Sequence, residues 1–177
     1  MSTTTMTTSK TREVVLCGLL TAMVFVSTRF INIRLPLSIN GGLIHMGNTI
    51  LFMIAIVFGK KRGAIAGALG MGLFDVLSGW FLWAPFTFVI RGAMGYIVGA
   101  AAEGKEGKKQ LLYTLGGIVA ASVVMIGGYY VTEGILYGNW IAPMTSIPGN
   151  VIQLIIGTAI GLPLAEALKK TKVIDFK

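Results

Sequence analysis

The sequence predicts an all-α integral membrane protein: one compact single bundle of six transmembrane helices, with both termini in the cytoplasm. Three observations carry this. The 177-residue chain is 54% hydrophobic and only 12% charged, with a mean hydropathy of +0.78, which is too apolar for an ordinary water-soluble domain. About six apolar runs near the ~20 residues needed to cross a bilayer fit within it, leaving almost nothing for a separate domain. Lysine and arginine, finally, gather at the ends of these runs on the side shared with both termini.

Taken in order, residues 1–12 open with the polar, low-complexity stretch MSTTTMTTSK and are expected to form a frayed cytoplasmic tail. The membrane domain then occupies 13–170, and 171–177 form a second cytoplasmic tail. The first helix, about 13–28, resembles a signal-peptide core after Lys10 and Arg12, but no small-residue cleavage site precedes Arg29. It presents Gly18 and Ala22 four residues apart on one face, where small side chains admit a neighbouring helix, either within the bundle or from a partner. RFINIRLPLSINGG alternates apolar and polar residues around Pro36 and Gly41, so it reads as an extended outer loop able to cap a pocket.

The second helix is expected over about 42–58, ending at the basic cluster Lys60, Lys61 and Arg62, and the third over about 63–78. Gly63 with Gly67, and Ala64 with Ala68 and Gly72, fall at four-residue spacing suited to tight helix contact. The fourth starts at Pro85, a favoured first helical residue, and runs to about 102. The charged loop EGKEGKK precedes the fifth helix, about 110–133. An aromatic outer loop, GILYGNWIAPMTSI, leads to the sixth, which starts near Pro148 and contains Pro163. Lys60, Lys61, Arg62, Lys105, Lys108, Lys109, Lys169, Lys170 and Lys172 all share one side, whereas only Arg29 and Arg34 fall on the other. The positive-inside rule makes the first side cytoplasmic.

Two opposite charges, Asp75 and Arg91, interrupt this apolar sequence. Each costs roughly 2.5–3.5 kcal/mol at membrane depth on insertion scales, so each is expected to face a partner or a wet cavity. Helical rise places Arg91 ~9 Å inside Pro85, and Asp75 ~20 Å from Arg62, which is ~10 Å below the outer surface of a ~30 Å core. The two therefore share a level, and they either form a salt bridge or each contact a polar ligand. His45 and Asn48 near the start of the second helix, Glu133 at the end of the fifth, and Asn150 and Gln153 at the start of the sixth fall at the same end. The polar inventory thus concentrates in the outer half, which describes a pocket rather than a continuous channel. Trp83 and Trp140, beside Pro85 and Pro143, are candidates for stacking on a flat ring, although aromatics also gather at membrane interfaces.

The net charge of +8 does not mark a nucleic-acid partner, because the basic residues cap apolar runs instead of lining one face. With one cysteine, Cys17, and one histidine, His45, neither a disulfide framework nor a zinc cluster is expected, and no cofactor is implied. No nucleotide-binding glycine loop or catalytic triad is present. A membrane enzyme using Asp75 or Glu133 as general base would lack catalytic neighbours.

Two stretches, GLIHMGNTILFMIAIVFGKKRGAIAGALGMGLFDVLSGW and APFTFVIRGAMGYIVGA, together with six helices and a basic turn between the second and third, resemble the S components of energy-coupling factor (ECF) vitamin transporters. The resemblance covers nearly the whole chain and points to the riboflavin-transporter-like branch. It implies a non-catalytic, multi-pass subunit of the bacterial plasma membrane that captures a vitamin from outside. Its partners would be a transmembrane coupling protein (the T component) and two ATP-binding-cassette ATPases, which would supply the energy while the subunit topples in the bilayer. Gly18 and Ala22 match the family's small-xxx-small docking motif, with glycine in place of the first alanine.

Relatives with this pattern are assigned to riboflavin, pyridoxine, hydroxymethylpyrimidine, pantothenate or folate. A small pocket bearing Asp75, Arg91, His45 and aromatics favours pyridoxine or hydroxymethylpyrimidine. The alternative is a small oligomeric channel or facilitator in which Asp75 and Arg91 line a pore between protomers without ATPase partners.

Overall fold

The structure is a computed structural model and describes residues 3–34, 43–105 and 107–171. Six helices make up almost all of it: α1 (Thr3–Phe30), α2 (Gly47–Phe58), α3 (Lys60–Leu77), α4 (Ala84–Ala102), α5 (Gly107–Tyr137) and α6 (Ile147–Lys170). A two-stranded antiparallel hairpin, β1 (Asn32–Arg34) with β2 (Leu43–His45), joins α1 to α2, and a short 3-10 helix (Ala142–Ser146) leads into α6.

α2 is the axis of the bundle. Its sequence is apolar on all sides, the pattern of a helix surrounded by protein, and Leu51, Phe52, Ile54 and Ala55 are fully buried. It touches α1, α3, α4 and α6. Apolar side chains gain little by leaving lipid for protein, so close packing has to hold these helices together. Small residues supply it. A side chain on Gly95 of α4 would run into the backbone of Gly63 on α3, and one on Gly161 of α6 would meet the carbonyl of Thr49 on α2. Gly63 and Gly67 both serve as such contact points, against Ala55 of α2 and the Arg91 carbonyl of α4 respectively.

Among the described residues, four helical segments are long and apolar enough to cross a membrane: Lys10–Phe30, Ala84–Ala102, Gly107–Tyr137 and Ala142–Lys170. Their outward faces are apolar, as shown by exposed Val15, Leu19, Val119, Val123 and Ile155. The chain is thus a membrane-spanning helical bundle. α2 is a shorter apolar helix of 12 residues, ~18 Å long at 1.5 Å per residue. α3 has 18 residues but carries Lys60, Lys61, Arg62 and Asp75.

Several elements differ from the sequence reading. α1 begins at Thr3, not near residue 13, because extending a formed helix costs far less than nucleating one. The second helix begins at Gly47, since Leu43–His45 pair with Asn32–Arg34 in an extended hairpin. The segment between those strands, expected to be an outer loop, lies outside the described residues. α5 runs on to Tyr137, one turn beyond Glu133. Lys60, Lys61 and Arg62, expected to form the turn before the third helix, are instead the first turn of α3, because Gly59, at φ 87°, reverses the chain between α2 and α3 in a single residue, a backbone conformation open to glycine. At this end Arg62 makes a two-pronged ion pair with Glu13 of α1 (2.8 and 2.6 Å), and Lys60 pairs with Glu103 at 2.8 Å.

Candidate functional site

At the opposite end from these basic turns the helices part around a cavity of about 110 Å³. Each wall follows from helical spacing. α4 contributes Thr87 and Arg91, four residues apart and therefore on one face. Tyr129 and Glu133 do the same from α5, and Asn150 and Gln153 from the first two turns of α6. α3 brings Phe74 and Asp75 from its last turn, the α3–α4 turn adds Trp80 and Trp83, and β2 adds Leu43 and His45. Among the described residues, α1 contributes nothing to the wall.

Arg91 is only 3% exposed, and protein groups hold it on two sides. Its Nη1 donates to the Asn48 side-chain carbonyl of α2 and lies 3.1 Å from the Met125 sulfur of α5. Its Nε donates to the Tyr129 hydroxyl at 3.1 Å, and the guanidinium carbon sits 5.1 Å from the centre of that ring, close enough for a cation–π attraction. The Tyr129 and Thr87 hydroxyls are 3.1 Å apart. No direct ion pair joins Asp75 to Arg91 among the described residues. Of the two arrangements open to this pair, the direct salt bridge is therefore not the one adopted.

His45 occupies the last position of β2 instead of a helical turn, paired with Asn32 across the hairpin. Its Nδ1 accepts the Gly47 backbone N–H at 3.1 Å, which leaves the proton of a neutral ring on Nε2. Nε2 is 3.1 Å from the end of the Gln153 side-chain amide, whose oxygen accepts the Nε2–H, the orientation this tautomer requires. Gln153 is itself 2% exposed, so the contact ties β2 to α6 at the cavity floor.

Of the nine residues singled out from sequence as ligand contacts, seven line the cavity: His45, Asp75, Trp83, Arg91, Glu133, Asn150 and Gln153. Asn48 stands behind the wall, fully buried, as the anchor of Arg91. Trp140 lies elsewhere. Its indole covers Gly134 of α5 and packs 6.1 Å from Tyr130, whose hydroxyl donates to the Trp140 carbonyl at 2.8 Å. Being 53% exposed, it behaves as an interface aromatic. Among the lining residues missed as ligand contacts are Thr87, Phe74 and Tyr129, although Thr87 is one helical turn before Arg91, Phe74 adjoins Asp75 and Tyr129 is one turn before Glu133. Gly18 and Ala22 are both exposed on α1, and nothing approaches Gly18 within 4 Å of where a side chain would begin.

Residues 8–170 match the family model of the ECF-type riboflavin transporter, S component. The chain belongs to that family. This S component is 26% identical over 164 residues to the thiamine precursor transporter HmpT of Lactococcus lactis subsp. cremoris (strain MG1363), covering 93% of this chain and 92% of the relative. It is 33% identical over 138 residues to an uncharacterized protein of Pyrococcus woesei, covering 78% and 90% of the two chains. A solved S component of a bacterial ECF transporter superposes with a TM-score of 0.72 at 19% identity, over 93% of this chain and 99% of that one; at that identity the likeness speaks for the fold. The chain is accordingly a membrane-embedded transporter subunit.

Proposed function

We propose that this S component captures a single-ring, hydroxylated heterocycle at the cavity and releases it across the membrane by reorienting against an ATP-driven module. That module is a transmembrane coupling protein with two ATP-binding-cassette ATPases. Hydroxymethylpyrimidine and pyridoxine are the favoured ligands. The observation that carries the reading is the convergence of Asp75, Arg91, Glu133 and His45, from four elements, on one cavity at one end of an otherwise apolar bundle. Size supports it too: a cavity of about 110 Å³ is on the scale of one six-membered ring, since a ~150 Å³ apolar cavity accommodates benzene. The name carried by the HmpT relative, a thiamine precursor transporter, points the same way.

In this reading all six helices cross the cell membrane with both termini in the cytoplasm. The ~18 Å length of α2 is completed at the outer end by β2 and the cavity, and the basic turns at Lys60–Arg62 and Lys105–Lys109 lie inside. The exposed face of α1 at Gly18 and Ala22 is where the coupling protein docks. Gly18→Leu should leave ligand binding intact and block uptake into cells carrying the whole transporter; normal uptake would discard this docking face.

Calorimetric titration of the purified protein in nanodiscs tests the substrate. Saturable one-to-one binding of hydroxymethylpyrimidine or pyridoxine is expected. Tight riboflavin binding with no response to either single-ring compound would overturn the assignment, and solute flux through liposomes containing this protein alone would favour a facilitator.

A further inference from the structure

The Arg91 guanidinium carries five N–H donors in one rigid plane and no acceptor. Its Nε–H is taken by the Tyr129 hydroxyl of α5 at 3.1 Å. Nη1 has two protons and two partners close by: the Asn48 side-chain oxygen of α2 and, at 3.1 Å, the Met125 sulfur of α5. Nη2 keeps both of its protons. Among the described residues it makes no hydrogen bond to protein, yet it is not sealed inside the protein either, and Arg91 lines the cavity. Holding Nε and Nη1 from two different helices fixes the plane of the group, and with it the direction of Nη2. Asn48 is suited to this task because it is itself immobilised. It is fully buried on α2, and its amide nitrogen lies 3.5 Å from the same Met125 sulfur, so its oxygen is the end turned to the guanidinium.

We propose that Asn48 and Tyr129 are positioning residues that aim Arg91 Nη2 into the cavity as a donor, so that the site selects a heterocycle by an unprotonated ring nitrogen. Complementarity singles out that atom. The carboxylates of the wall, Asp75 and Glu133, offer lone pairs to a ligand's amine and hydroxyl groups, whereas Arg91 is the sole lysine or arginine in the wall among the described residues. A ring nitrogen accepts and cannot donate; the guanidinium donates, cannot accept and stays charged at physiological pH. A C–H in place of that nitrogen would leave a desolvated charged donor facing carbon, the costly way to lose a hydrogen bond. The inference rests on the capture reading above and deepens it, from the size of the ring to the atom by which it is recognised.

The test compares affinities in nanodiscs for 4-amino-5-hydroxymethyl-2-methylpyrimidine and for the two analogues in which one or the other ring nitrogen is replaced by C–H. The wild type should bind one analogue at least ~10-fold more weakly than the parent, the scale of one hydrogen bond to a charged group. For that analogue, Tyr129→Phe and Asn48→Leu should each shrink the penalty to about 2-fold, because a guanidinium no longer aimed distinguishes nitrogen from C–H poorly. Asn48→Asp, which keeps the accepting oxygen, should retain most of it. A merely structural loss would weaken parent and analogue alike and leave their ratio unchanged. In the Arg91→Lys background, which removes the planar fork, Tyr129→Phe should lower the ratio no further, since the two act through one contact. Tyr129→Phe carries the test should Asn48→Leu fail to fold. A wild type that binds the parent and both analogues equally, or a penalty undiminished in either folded variant, overturns this inference and leaves the capture reading standing. Failure of the wild type to bind the parent pyrimidine overturns the capture of this ring class and this inference with it.

Discussion

At the basic end of the bundle, Gly63 and Gly95 bring α3 and α4 together backbone to backbone, and Gly99 lies against Lys60 in the same way. At the other end the same two helices carry Asp75, Thr87 and Arg91, and their side chains hold a cavity open. The two halves of one helix pair thus solve opposite problems. The first excludes everything, including lipid, by having almost no side chains to exclude with. The second keeps buried polar groups in a protein interior by linking Arg91 to Asn48 and Tyr129, and Tyr129 to Thr87. Sub-ångström fit decides the first, whereas hydrogen-bond completeness decides the second, and substitutions at the two ends should fail differently.

The largest effect is expected at the dry end. Gly95→Val should destabilise the bundle by about 3 kcal/mol, the upper part of the usual cost of overpacking, and appear as loss of monodisperse protein or a lowered melting temperature in nanodiscs. Arg91→Ala strikes both properties at once. Asn48 and Tyr129 each lose a donor, so stability should fall by about 2 kcal/mol, and ligand affinity should fall with it as the cavity wall loosens. Stability unchanged in that variant would show that the polar chain does not brace the helices. A smaller effect separates the two tryptophans: Trp83→Ala should weaken ligand binding several-fold through lost ring contact, whereas Trp140→Ala, outside the cavity, should leave affinity within about 2-fold. Equal losses in both would contradict their placement.

Much of this contrast was legible in the sequence. Glycine and alanine at four-residue spacing mark the dry half of α3, and the isolated charges Asp75 and Arg91 mark the wet half, because few other reasons place such residues in an apolar run. Helical rise sufficed to put both at one level. The rest was hidden for physical reasons. The pairing of Asn32–Arg34 with Leu43–His45 is a contact between segments too short to show a period, so His45 read as part of a helix. Whether Asp75 meets Arg91 directly depends on side-chain direction, which residue spacing does not give. Trp140 lies in a connection where no helical period says which way a ring turns.

The central claim is that polar groups gathered at one end of this bundle form a capture site, with Asp75 as a direct ligand contact. Titration of Asp75→Asn against hydroxymethylpyrimidine, beside the wild type, tests it most directly, since the substitution keeps the shape of the side chain while removing its charge and turning one acceptor oxygen into a donor. We expect at least ~10-fold weaker binding with a nearly unchanged melting temperature. Wild-type affinity in the variant would contradict the claim.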